Sequence, residues 1–173
     1  VPESEDSRAA KQLLGLLRMA EGEWDDAAIA FKEIYLTDPE TASTSLRLSS
    51  EAYLEKARAK LQDGAQDEAI AAIDQAIAVY KGQTGKEALQ QRNTLRLLRA
   101  RLLTQIGRFE LAIADLQNFT MQQPENFEAL ITLASLYASV EHWESLEAVI
   151  KPIAKRPELR DVVLYLEGRA ALA

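Results

Sequence analysis

The side chains able to do chemistry in this 173-residue chain are few and mostly scattered. There is one histidine, His142, and no cysteine. That pair of facts removes the common nucleophile–base arrangements and also disulfides and thiolate metal sites. Two adjacent carboxylate pairs, Asp25-Asp26 and Asp67-Glu68, could hold a cation or share a proton. Each pair opens an apolar-periodic stretch, where the positive end of a helix favours negative charge without any ligand. His142 falls between two amphipathic stretches and reads as a solvated turn residue. No glycine-rich phosphate loop follows a strand, because no strand is predicted. The expectation is therefore no catalytic residue, no metal site, no cofactor and no enzyme.

The basic residues are more localised. Arg92, Arg96 and Arg99 recur at helical spacing and share one face, with Arg101 and Arg108 close behind. They could dock an acidic partner segment, or they could pair with Asp63, Asp67, Glu68 or Asp74 of the preceding segment. The net charge of −7 and pI near 4.9 lack the dominant positive surface that nucleic acid requires. An anionic membrane surface is not expected as a partner on the same ground, and no direct membrane insertion by this segment is expected. No apolar run reaches the ~18 residues of a membrane span.

The elements that must position these groups are helices. Alanine, leucine, glutamate and glutamine are plentiful, while glycine (7) and proline (5) are few, a mix that loses little side-chain freedom in a helix. Four segments share a pattern, Glu21–Ala28, Asp63–Ile70, Ile106–Ile113 and Val140–Glu147. Glycine ends the first stretch in three of them, where a left-handed residue is cheapest. An aromatic residue, Trp24, Phe109 or Trp143, follows in three. Ala27, Ala69, Ala112 and Leu146 recur at 42, 43 and 34 residues, and a repeat at this scale signals stacked supersecondary units. The pattern predicts helices over about 8–21, 25–37, 44–62, 66–81, 86–106, 109–122, 126–140 and 143–155, the last kinked or ended early by Pro152. The opening residues 1–6 read as an acidic linker. Trp24, Trp143 and Phe109 are expected as wedges in the core between helices rather than as ligand platforms.

Named positions resemble the tetratricopeptide family. Leu14-Gly15, Ala27, Phe31 and Pro39 match its pattern in the first repeat, then Ala100, Ala112, Leu116, Phe119 and Pro124 in the third. In the fourth they are Leu130, Leu133-Ala134, Tyr137 and Ile150. Lys11 and Arg96 stand where the family favours tryptophan, Lys56 and Arg99 where it favours leucine, and the second repeat matches least. The resemblance covers roughly residues 8–173. It implies an all-α, right-handed α-solenoid of antiparallel helix pairs forming one superhelical domain over 1–173. The repeats would lie at about 8–41, 44–83, 86–124 and 126–158, with the extra length of the second and third in their first helices. The terminal helix, 159–173, resembles a first helix with Gly168 at the Leu-Gly position and no second helix, as in a piece of a longer array.

The family binds partner polypeptides in a concave groove lined by first helices. That implies a protein or peptide partner and, as groove residues here, Leu13, Leu16, Leu54, Arg58, Leu97, Arg101, Ile131 and Ser135. Arg58 and Arg101, equivalent in adjacent repeats, could each grip a carboxylate or carbonyl through a planar fork. The same leucines could simply pack, and the arginines could be solvated. The family's carboxylate clamp would fall on Gln12, Leu16, Glu55, Thr94 and Leu98, and its lysines and asparagines are missing. The expected role is a non-catalytic interaction scaffold in a larger bacterial secretion or polysaccharide-export assembly, set in the periplasm or cell envelope rather than the cytoplasm. Self-association through the terminal helix is a further expectation. The competing role is a ligand-responsive sensor module of a transcription regulator.

Overall fold

The computed structural model describes residues 5–37 and 42–171, and within them the fold is all-helical. The helices are α1 (Glu5–Ala20), α2 (Trp24–Thr37), α3 (Ala42–Gln62), α4 (Gln66–Ala78), α5 (Lys86–Gln105), α6 (Phe109–Gln122), α7 (Phe127–Ser139), α8 (Trp143–Ile153) and α9 (Arg160–Ala171). A short 3-10 turn, Pro157–Leu159, precedes α9. The long first helices predicted for the second and third segments are present, with 21 residues in α3 and 20 in α5. α1 begins inside the stretch read as a linker, and α8 ends at Ile153, one residue after Pro152. Pro39 lies outside the described residues.

One turn geometry is used four times. Gly22, Gly64 and Gly107 adopt φ of +79°, +74° and +77°, and Glu141 takes the same place at +58°. The next residue's N–H then reaches back to the fifth residue before it. Glu23 donates to the Arg18 carbonyl, Ala65 to Lys60 and Arg108 to Leu103, each at 2.8 Å, and His142 to Tyr137 at 2.9 Å. Carbonyls left open at the first helix's end are thereby satisfied. The second helix starts without a side-chain cap at Ala65, Arg108 and His142; the acidic residues Asp25-Asp26, Asp67-Glu68, Glu110 and Glu144 occupy its first turn instead. The small-residue positions Ala27, Ala69 and Ala112 are fully buried, as is Leu146 at the fourth.

Chain packing divides the described residues into two compact units, one ending at Leu95 and one beginning at Arg96, within α5. In the first, α2 packs on α1 and α3, and α3 on α4. Ala27, Ala28, Phe31, Ile34 and Ala52 form one core cluster; Leu46, Ala76, Tyr80 and Leu95 form another. The helix α1 approaches α2 so closely that a Cβ on Gly15 would meet Phe31 Cε1 at 2.6 Å. Ser49, buried in α3, donates to the Ala28 carbonyl of α2 at 3.0 Å, so a polar side chain bridges that interface with its hydrogen bond made. Lys56 reaches both neighbours, contacting Asp25 of α2 at 2.8 Å and Gln75 of α4 at 3.2 Å.

In the second unit, α7 packs on α6 and α8, and α9 lies against both α7 and α8. Leu103, Leu116, Leu146, Ile153 and Leu166 are its large fully buried side chains. Asn126 caps α7, accepting from the Ala129 N–H at 3.0 Å. The turn aromatics do not serve as core wedges: Trp24 and Trp143 are half-buried and Phe109 is exposed. The crossing is filled by the residue three positions later, Ala27, Ala112 or Leu146, each fully buried; Trp24 lies over its own turn, its Cζ2 3.6 Å from where a Cβ on Gly22 would stand, whereas nothing lies within 4 Å of a Cβ on Gly107.

Candidate functional site

A concavity lies in the first unit, between α3 and the start of α5, with Tyr80 of the turn after α4 in its lining. It consists of two adjoining hollows of about 330 and 190 Å³ that share Arg47, Tyr80 and Gln91. Helical period explains the lining. Arg47, Ser50, Glu51, Leu54, Glu55 and Arg58 repeat at three- and four-residue steps along α3 and all face the smaller hollow. The floor is apolar, from Leu46 and Tyr80 in one and Leu54 and Leu95 in the other. Around it stand hydrogen-bonding groups: Ser43, Thr44, Gln83 and Gln91, with Gln83 Nε2 donating to the Tyr35 hydroxyl at 2.7 Å. Along α3 the wall's charges are paired, Arg47 with Glu51 at 3.0 Å and Arg58 with Glu55; Glu87 of α5 also lines the larger hollow.

Tyr80 joins the two hollows. Burial pushes its phenol pKa above the ordinary tyrosine value, and a hydrogen bond with Ser50 opposes that rise. Tyr53, on the same helix as Ser50, is raised first by burial and then by the charge of Asp25. Neither tyrosine is poised to lose a proton near neutrality, so both act here as neutral, amphipathic surface. Sequence reasoning missed Ser50, Tyr80, Gln83 and Gln91. Ser50 is one of three buried serines of α3, with Ser45 and Ser49; Tyr80, Gln83 and Gln91 carry no local signal.

The groove residues expected from sequence fall in different surroundings. Leu54 and Arg58 line the smaller hollow together. Leu13 and Leu16 are exposed on α1, at 67% and 44%. In the second unit Arg101 is exposed and pairs with Glu128 of α7 at 3.0 Å, Ile131 is half-buried and Ser135 is exposed. Leu97 is only 4% exposed and is a packing residue; the exposed leucine of that helix is its neighbour Leu98. Two arginines of the stripe, Arg96 and Arg99, are engaged within the second unit. Arg99 pairs with Asp115 of α6, and Arg96 donates to Gln122 at 3.1 Å with its guanidinium 5.6 Å from the Phe119 ring centre. In the preceding segment Lys60 pairs with Glu68 at 2.7 Å.

A third hollow, about 550 Å³, opens in the second unit between the turns at Gly107–Leu111 and Val140–His142. His142 is exposed there, its ring centre 5.6 Å from that of Tyr137. Among the described residues no three His, Asp or Glu side chains gather as metal ligands, and no helix is long and apolar enough to cross a membrane. No protein-family model matches the chain, and no curated protein shows significant sequence similarity to it.

Proposed function

We propose that this protein is a non-catalytic interaction module of the tetratricopeptide type, which binds a partner polypeptide along the first helices of its helix pairs. The observation that carries the reading is the double hollow between α3 and α5. Its apolar floor and its border of neutral amide and hydroxyl groups suit an extended main chain, whose own N–H and C=O groups need partners when desolvated. The repeated turn, the small residues at the helix crossings and the Gly15–Phe31 approach support the family resemblance. In this reading Arg58 and Arg101 exchange their internal carboxylates for one on the partner, and the module serves a bacterial envelope, secretion or polysaccharide-export assembly.

Panning a random peptide display library on the immobilised chain tests it. Selected peptides should lose at least tenfold in affinity on Arg58→Glu and on Gln91→Glu, with circular dichroism unchanged in both. Selection that is indifferent to both changes would exclude the hollow as the binding place.

A second reading, a small-molecule sensor, is favoured by one observation: the larger hollow, near 330 Å³, falls within the size range of ligand pockets. A reproducible thermal shift with a metabolite, abolished by Gln83→Ala, would favour the sensor over the scaffold.

A further inference from the structure

The spacing of the two hollows between α3 and α5 constrains what can fill both. On α3 the larger hollow is lined from Ser43 to Arg47 and the smaller from Arg47 to Arg58; on α5 the larger takes Glu87, Ala88 and Gln91 and the smaller Gln91 and Leu95. The two hollows thus follow one another in the same direction along both helices. At the helical rise their centres are ~11 Å apart on α3 and ~6 Å apart on α5, or about 9 Å midway between the walls. A dry cavity of ~150 Å³ holds a benzene ring, so hollows of about 330 and 190 Å³ each have room for one apolar side chain. A chain filling both must present side chains to one side at that interval. A β-strand does so every second residue, at ~6.7 Å and next at ~13 Å. A polyproline II helix does so every third residue, at ~9.3 Å. An α-helix does so at the seventh, ~10.5 Å, but its main-chain groups are bonded within the helix. It would leave the donors of the groove without acceptors. Those donors are present: Ser43, Thr44 and Gln91 line the hollows with no hydrogen-bond partner among the described residues, and Tyr35 accepts from Gln83, which leaves its own proton to donate.

From this we infer that the occupant of the α3–α5 groove is a proline-rich segment in the polyproline II conformation, with apolar residues three apart seated in the two hollows. The inference rests on the peptide-binding reading above and adds to it the conformation and spacing of the peptide. Such a segment makes no internal hydrogen bonds, and proline offers a carbonyl but no N–H, so the donors of Ser43, Thr44, Tyr35 and Gln91 meet the acceptors it must satisfy. Its preformed backbone loses little freedom on binding. Charge agrees. Arg47, shared by both hollows, is already paired with Glu51 at 3.0 Å, and Glu87 stands in the first turn of α5, where it answers the positive end of that helix. The middle of the groove therefore calls for a neutral occupant.

Two fluorescein-labelled polyproline decapeptides serve as probes, read by anisotropy against the whole chain. One carries two leucines three residues apart, on one side of the polyproline II helix; the other carries them two apart, on different sides. Saturable binding of the first is expected. The second should bind about tenfold more weakly, since one of its leucines stays in water. Gln91→Glu in the chain should weaken the first about tenfold, through the lost donor, with circular dichroism unchanged. Equal binding of the two peptides, indifference to Gln91→Glu, or no saturation by ~1 mM, the weak end of specific association, would overturn the inference. The peptide-binding reading outlives that failure if panning still selects peptides that depend on Arg58 and Gln91. Selected peptides that lack proline would overturn the inference alone, whereas selection of no groove-dependent peptide would remove the reading and the inference together.

Discussion

At the scale of single residues, backbone conformation and close approach explain more than charge does. Glu141 holds φ of +58° where the three equivalent turns use glycine. A side chain in that conformation costs about 1–2 kcal/mol, partly recovered on replacement because glycine has more freedom to lose. Glu141→Gly should thus raise stability by about 0.5–1 kcal/mol, visible as a higher midpoint in urea. The reverse change, Gly64→Ala, should lower it by about 1–2 kcal/mol, and wholly through the backbone, since no atom lies within 4 Å of the added Cβ. Gly15→Ala tests packing instead. The 2.6 Å approach to a fully buried ring calls for an overpacking cost of about 1–3 kcal/mol, offset by about 1 kcal/mol of helix propensity. A double-mutant cycle with Phe31→Leu should show the loss relieved; additive losses would mean the two residues do not press on each other. Glycine, the small residues and Phe31 were legible in the sequence because each occupies a position in a repeat. The partners of Arg96 and Arg99 were not, since a helical stripe fixes a face but not what lies across from it.

At the scale of elements, the helices are placed by the four turns and held by the small residues at their crossings. Ala112→Leu should cost about 1–3 kcal/mol by forcing α6 away from its neighbours, measured as a lower melting temperature at constant helicity. Lys56 binds three elements, touching α2 and α4 from α3. Its position is one where the family resemblance favours leucine, so Lys56→Leu, which removes the partly exposed ion pair, should change stability by no more than about 1 kcal/mol. Lys56→Glu, which sets a carboxylate against Asp25, should lower stability and do so most at low ionic strength. Helix ends were predicted within a few residues because turn chemistry marks them. The α3–α5 hollow was half legible: Leu54 and Arg58 came from the register of α3, whereas Tyr80, Gln83 and Tyr35 reach it from segments distant in sequence.

At the scale of the whole molecule, titration links buried groups to stability. Tyr53 and Tyr80 have pKa values raised above the ordinary value near 10. Lys60 is raised as well, through its hydrogen bond and attraction to Glu68. All three act in one direction. The unfolded chain releases these protons first, so the native state holds more of them, and stability is complete below about pH 10 and declines as pH rises beyond it. Urea midpoints should be flat from neutrality to about pH 9 and fall above pH 10, with Tyr53 and Tyr80 titrating late by absorbance at 295 nm; a flat profile through pH 11 would refute this. The sequence alone determined the helical class, the four turns and the small residues at the crossings, because these follow from period and from backbone conformations that few residue types tolerate. Tertiary structure decided that Leu97 packs while Leu98 faces out, and that the turn aromatics are half-buried or exposed rather than in the core. Those outcomes depend on which helix stands opposite, a long-range fact that no local pattern encodes.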